Sequence, residues 1–164
     1  MAQSIRPSKE LLQLMTSISL LKPDAITRQE LKNVKGERSE IDISTVTWPP
    51  QSNALVRQAV EKAAKESISK IKQLAPKSKE WQSNTCILRK GMIAPFKGRV
   101  CLVIPLLQTH DLPKKVIFHP ATKEPGEPKQ WEPEKWEQLL YILGPGTCIH
   151  AEEGELMFIV VLCE

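Results

Sequence analysis

Apolar residues recur at helical spacing in two segments of the chain. In residues 9–21, leucine, methionine and isoleucine fall on one face of an amphipathic helix that ends before Pro23. In residues 53–75, valine, alanine, isoleucine and leucine form a longer stripe, and Pro76 follows immediately. The pattern therefore predicts two helices, of which the second is the longer.

Between these helices the signals are weaker. Thr27 and Glu30 have the spacing of a capping box, which predicts a short helix that Gly36 would end. Residues 37–52 alternate apolar and polar positions and contain Trp48-Pro49-Pro50, which predicts an extended linker or an edge strand. Two interpretations of the Trp-Pro-Pro sequence stay open. Either Trp48 packs on the core, or the segment is a polyproline II ligand for a partner.

Beyond Pro76 the apolar positions form short runs rich in valine and isoleucine, which predict strands. A proline-punctuated loop is predicted at 120–133, followed by a helix at 134–143 that Gly144 ends. Pro105 cannot donate to a ladder, so its strand is predicted to lie at an edge or to carry a bulge. The predicted strands cover 86–88, 100–107, 115–118 and 155–162.

The predicted fold class is α+β. N-terminal helices, including one long basic amphipathic helix, precede a mostly antiparallel sheet, with one further helix before the last strand. The 164 residues suit one domain of ordinary size. We expect residues 1–52 to form a helical or partly flexible segment and linker, and residues 53–164 to form a single α+β domain.

Charge is distributed unevenly along the chain, although the net charge is only +4. Residues 53–100 hold eleven Lys or Arg against three Asp or Glu, whereas residues 101–164 hold five against ten. An excess of eight positive charges attracts polyanions, either nucleic acid or an anionic membrane surface. The acidic C-terminal part favours self-association with the basic part of another copy, and hence a homo-oligomer.

The basic segment supplies the predicted binding residues. Lysine and arginine position a phosphate backbone, and an exposed aromatic ring can stack on an unpaired base. The same cations would suit docking on an anionic leaflet, and a simple solvated surface is the plainest alternative. The predicted phosphate contacts are Lys62, Lys65, Lys70, Lys72, Arg89, Lys90, Lys97 and Arg99, with Phe96 as a stacking or inserting residue.

Candidate catalytic chemistry is sparse. Glycine patterns of nucleotide sites, Gly-x-Ser-x-Gly and His-Glu-x-x-His do not occur. The histidines and Cys148 lack the usual spacing of zinc ligands, so neither a metal nor a cofactor is predicted. The four cysteines form no Cys-x-x-Cys pair, and no secretory signal or membrane-spanning run is recognised, which predicts an intracellular, cytoplasmic protein.

These patterns predict a non-enzymatic structural or assembly protein that binds RNA and associates with itself. A small viral matrix, nucleocapsid or RNA-binding accessory protein would have such properties, although no family motif is recognised. One alternative is a protein–protein adaptor that binds its partner through Trp48-Pro49-Pro50 and residues 120–133. A second alternative is a small metal-dependent enzyme centred on His150 and Glu152.

Overall fold

A computed structural model describes residues 2–29, 41–77, 81–93, 99–106, 115–119 and 136–163. These residues contain nine strands, two α-helices and one 3-10 turn. In chain order they are β1 (Ala2–Ile5), α1 (Lys9–Ser19), β2 (Ala25–Gln29), β3 (Asp42–Thr47), α2 (Pro50–Leu74), β4 (Trp81–Ile93), β5 (Val100–Pro105), β6 (Lys115–His119), the 3-10 turn (Trp136–Gln138), β7 (Leu140–Leu143), β8 (Cys148–Glu153) and β9 (Leu156–Cys163).

The strands form two antiparallel sheets that share β4. The larger sheet has the order β1-β7-β5-β9-β4-β3-β2, and the smaller has the order β4-β8-β6. The first part of β4 pairs with β9, and its last three residues pair with β8. The first of these three is Gly91, whose φ of 94° is readily accessible only to glycine. Strand β4 thus leaves one sheet and enters the other at Gly91.

Two apolar clusters divide the molecule into three layers. One cluster lies between the larger sheet and the helices, and it includes Leu11, Ile71 and Leu102. The other lies between the two sheets, and it includes Phe118, Tyr141 and Phe158. The larger sheet is therefore covered on both faces, which explains why β5 and β7 are continuous runs of buried residues.

The N-terminal residues belong to this same architecture. Strand β1 pairs with β7, and β3 pairs with β4. Ser8 caps α1 by accepting a hydrogen bond from the backbone N–H of Leu11, and it donates both its own N–H and its hydroxyl to the Glu66 carboxylate of α2. Residues 2–29 and 41–49 thus complete the sheet and the helical layer.

The predicted fold class is wrong, because strands and helices are interleaved rather than separated. Strands β1, β2 and β3 all precede α2. Residues 25–29 are strand β2 instead of the start of a short helix; the remainder of that predicted helix lies outside the described residues. Pairing with β3 outweighed a local capping signal, because a lone capping box adds little stability.

The predicted helix at 134–143 is also wrong. Its described part is the 3-10 turn at Trp136–Gln138 followed by strand β7. Apolar residues at 136, 139, 140 and 143 imitate helical spacing, but Leu140–Leu143 is buried on both faces between β1 and β5. A short apolar run does not distinguish a buried strand from a buried helix.

Two local predictions have opposite outcomes. Trp48 packs on the core with 7% exposure, as its first interpretation predicts, and this packing does not test a partner at Trp48–Pro50. The predicted edge position of Pro105 is wrong, since β5 is a central strand between β7 and β9. Pro105 is tolerated because it is the last residue of β5, beyond the Cys101–Val103 segment that pairs with β7.

Within the described ranges, no helix is both long and apolar enough to cross a bilayer.

Candidate metal site on the smaller sheet

Strands β6 and β8 present polar side chains on the outer face of the smaller sheet. Side chains alternate along a strand, and Val116, Phe118, Ile149 and Ala151 point inward with exposures of 3% or less. The intervening residues therefore point outward. They are Lys115, Ile117 and His119 on β6, and Cys148, His150 and Glu152 on β8.

Two histidines meet at the centre of this face. The register pairs Ile117 with His150 and His119 with Cys148, so the two imidazoles are diagonal neighbours. Nε2 of His119 lies 3.2 Å from Nδ1 of His150. Two nitrogens that both lie about 2.1 Å from one metal ion are separated by about 3.0–3.4 Å. The observed distance thus suits either a direct N–H···N hydrogen bond or shared ligation of one ion.

Burial and neighbouring charges affect the His119 ring. Desolvation lowers its pKa, and the charge of His150 acts in the same direction, while the carboxylate of Glu152 opposes both. His119 is therefore neutral at physiological pH, which is the form of imidazole that binds metals.

Glu152 stands two residues after His150 on the same face and forms an ion pair with Lys115. The Lys115 Nζ and Glu152 Oε2 atoms are 2.8 Å apart, and each side chain is about 40% exposed. The hydrogen bond from Lys115 lowers the pKa of the Glu152 carboxyl, and the two histidines add to this shift. In the described residues, no three His, Cys, Asp or Glu side chains converge as a complete metal site.

Cys148 is the remaining polar residue on this face. It is half-buried, and its thiol donates to the carbonyl of Gly146 at 3.5 Å. Burial raises the pKa of this thiol, so Cys148 is protonated at neutral pH. It is therefore a poorer metal ligand than the imidazoles, because metals bind the thiolate.

The space between the two sheets is a different environment. No His, Asp or Glu is among the buried residues of the described ranges. Tyr141 stacks on Trp136 with ring centroids 5.1 Å apart and lies at the same distance from Phe118. Burial raises the pKa of the thiols of Cys86 and Cys101 to about 11 and about 12. The buried residues between the sheets therefore do not fit a metal ion, because they supply no ionised or imidazole ligand.

Among the predicted phosphate contacts, Lys62 and Arg89 are engaged with acidic groups. Lys62 Nζ lies 3.1 Å from Glu10 and 3.8 Å from Glu66. Arg89 Nε donates to Glu155 at 2.8 Å, and its Nη1 contacts Ser44 and Asp42. Both side chains thus have structural partners, which the charge pattern did not reveal.

The other predicted contacts are distributed over several elements. Lys65 and Lys72 are exposed on α2, Lys70 is half-buried there, and Lys90 and Arg99 are exposed at β4 and just before β5. Phe96 and Lys97 lie outside the described residues, as does His110. Binding of an anionic ligand by these residues stays an untested prediction.

The partnership of His119 with His150 was not predicted from the sequence. His150 and Glu152 were named together there, but no strand was predicted at 148–153, where the structure has strand β8. The two histidines are 31 positions apart, and only the register of β6 against β8 brings them together. The alternation of outward polar and inward apolar residues along 148–152 was the signal that would have identified the strand.

No protein-family model and no curated protein sequence matches this chain. The fold is similar to the crystal structure of a prolyl-4-hydroxylase from Pseudomonas putida, with a TM-score of 0.58. The sequences are 11% identical, and the similarity covers 99% of this chain and 91% of that chain. At this identity the similarity establishes the fold.

This finding corrects the functional predictions. The prediction of a non-enzymatic structural or assembly protein that binds RNA, of viral matrix or nucleocapsid type, is contradicted by the similarity of the fold to that of a prolyl-4-hydroxylase. The second alternative, a small metal-dependent enzyme around His150 and Glu152, agrees better with the fold. Self-association, membrane contact and a partner at Trp48–Pro50 stay predictions that these observations do not test.

Proposed function

We propose that the protein is a metal-dependent enzyme whose metal is held on the outer face of the smaller sheet by His119 and His150. The observation that carries this proposal is the 3.2 Å separation of the two imidazole nitrogens. The similarity of the fold to that of a prolyl-4-hydroxylase supports it. The carboxylate of Glu152, on the same strand and face as His150, is the third ligand of this proposal.

Two histidines and one carboxylate form the ligand set of non-haem Fe(II) oxygenases. When bound, such an ion supplies activation of dioxygen. The chain's own residues would hold the ion through the two imidazoles and supply the carboxylate that balances part of its charge. Strand β8 provides His150 and Glu152 from one rigid element, and β6 provides His119.

The openness of this face favours a large substrate. Glu152 is exposed, and Met92, whose register partner is His150, is 45% exposed. A site on an open sheet face admits a segment of a longer chain, whereas a small molecule would be left mostly in water. Because the protein of similar fold is named a prolyl hydroxylase, proline-containing peptides are the first substrates to test.

Metal loading tests the proposal directly. The chelator-treated protein is dialysed against Fe(II) under anaerobic conditions, and bound iron is measured by elemental analysis. The proposal predicts about one equivalent for the wild type and for Met92→Ala, which alters the same face without removing a nitrogen ligand. It predicts almost none for the double variant His119→Ala with His150→Ala. Equal loading of all three proteins would contradict the proposed site.

Activity is tested with the same three proteins. Loaded protein is incubated with dioxygen, proline-containing peptides and a 2-oxo acid or ascorbate as electron donor, and mass spectrometry detects the gain of one oxygen atom. Product is expected from the wild type and not from the double histidine variant. Product formed equally by the double histidine variant would show that any activity arises elsewhere.

We also propose an intracellular location, which the free state of all four cysteines supports.

A further inference from the structure

Lys115 forms an ion pair with the carboxylate that the proposed metal site requires. Its ammonium lies 2.8 Å from Glu152 Oε2, at the end of β6 opposite His119. The carboxylate lies on the same strand and the same outward face as His150, two residues further along β8. Yet, in the described residues, this carboxylate and the two imidazoles are not arranged as a complete metal site of three ligands.

We infer that Lys115 is a positioning residue that holds the Glu152 carboxylate in an ion pair, which a metal ion bound at His119 and His150 must break to gain its third ligand. This inference rests on the proposed function. The carboxylate has two alternative cationic partners on one sheet face, the ammonium and the metal. Lys115 therefore sets how strongly the site binds its ion.

The ion pair is of a strength that a metal can displace. Both side chains are about 40% exposed, and ion pairs of this kind are weak. A divalent cation that already has two imidazole ligands attracts a nearby carboxylate more strongly than a monovalent ammonium does. The positive charge of Lys115 also repels the incoming ion.

Lys115 consequently opposes metal binding in two ways that mutagenesis can separate. One is simple charge repulsion, which does not need Glu152. The other is competition for the carboxylate, which does. Lys115→Met removes the charge and keeps an unbranched apolar chain, and Glu152→Gln removes the competition while leaving the amide in place.

The test is a double-mutant cycle with Co(II) as the probe. Affinity is measured by calorimetry for the wild type, Lys115→Met, Glu152→Gln and the double variant. We expect Lys115→Met to raise Co(II) affinity about 10-fold in the wild-type background, but only about threefold with Glu152→Gln. Lys115→Arg, which keeps the ion pair, should stay within about twofold of the wild type.

The absorption spectrum of bound Co(II) gives an independent readout. If Glu152 becomes a ligand, the wild type and Lys115→Met share one spectrum, and Glu152→Gln gives a different one. If Lys115→Met raised Co(II) affinity equally in the wild-type and Glu152→Gln backgrounds, Lys115 would act only through charge repulsion. That result would overturn the inference and leave the proposed function intact. A wild-type protein that binds no Co(II) at the two histidines would overturn both.

Discussion

Trp48 Nε1 donates a hydrogen bond to Thr85 Oγ1 at 2.8 Å inside the core. The contact joins the segment before α2 to the centre of strand β4, 37 positions later. Trp48 is 7% exposed and Thr85 is 4% exposed, so neither group has ready access to water. This buried bond fixes the point at which the chain leaves β3 and enters α2.

Removing the indole donor should destabilise the fold. Trp48→Phe leaves Thr85 without this partner and takes away part of the ring, and we expect the free energy of unfolding to fall by about 2–3 kcal/mol. Urea denaturation measures it. In a Thr85→Val background the same substitution should cost about 1 kcal/mol less, because the hydrogen bond is already gone. Equal costs in both backgrounds would show that the bond contributes nothing.

Arg89 is expected to matter for stability. Arg89→Met leaves Glu155 and Asp42 without this guanidinium, and we expect a loss of about 1–2 kcal/mol in urea denaturation. The matched control is Arg28→Met. Arg28 also pairs with Asp42, at 3.5 Å, but it is 72% exposed, so its removal should cost less than about 0.5 kcal/mol. Equal effects would contradict the central role of Arg89 in this network.

The orientation of β6 decides which way His119 points, and two neighbouring residues test it. Phe118 is 2% exposed in the inter-sheet cluster, whereas Ile117 points outward and is only half-buried. Phe118→Ala should cost about 3–5 kcal/mol of unfolding free energy, and Ile117→Ala should cost about 1 kcal/mol. A larger loss from Ile117→Ala would mean that the strand is turned over and His119 points inward.

The buried thiols predict a loss of stability at alkaline pH. Burial raises the pKa of Cys101 and Cys163 to about 12, above the value near 9 of an exposed thiol. The folded state therefore binds more protons than the unfolded state above pH ~9, so stability is unaffected below this value and falls between pH ~9 and ~12, by up to about 1.4 kcal/mol per pH unit for each thiol.

Urea unfolding between pH ~8 and ~11 measures this slope. Cys101→Ala removes one buried thiol and should make the alkaline slope shallower, whatever it does to the stability at neutral pH. Lysines and tyrosines titrate in both proteins and cancel in the comparison. Identical slopes would show that this thiol titrates alike in the folded and unfolded chains.

The elements that the sequence predicts well are those whose pattern is long or strictly periodic. The helix expected at 53–75 is present as α2, because its apolar stripe persists over many turns and prolines stand at both ends. Strand β9 is an uninterrupted apolar run, a pattern that is typical of a buried strand. Elements that depend on distant pairing were not predictable in this way. Strands β1 and β7 are short, and each is stabilised by its neighbours in the sheet rather than by its own composition.

The candidate site shows the same limit. His150 and Glu152 were named together in the sequence analysis as the centre of a metal-dependent enzyme, and both lie on the outward face of β8. His119 was not joined to them, since the diagonal contact depends on the register of β6 against β8, with its shift between Lys115 and Val116. The local pattern predicts which side chains of a strand point inward and which point outward. It does not predict the register between two strands, and the register decides which ligands lie close together.

The position of a bound ion tests the central claim most directly. Crystals grown with Co(II) are measured at the cobalt absorption edge, and an anomalous difference map locates the ion. We predict one peak between the two histidines, about 2.1 Å from His119 Nε2 and from His150 Nδ1. A peak elsewhere, or none while the two rings remain in direct hydrogen-bond contact, would contradict the metal site and the function proposed from it.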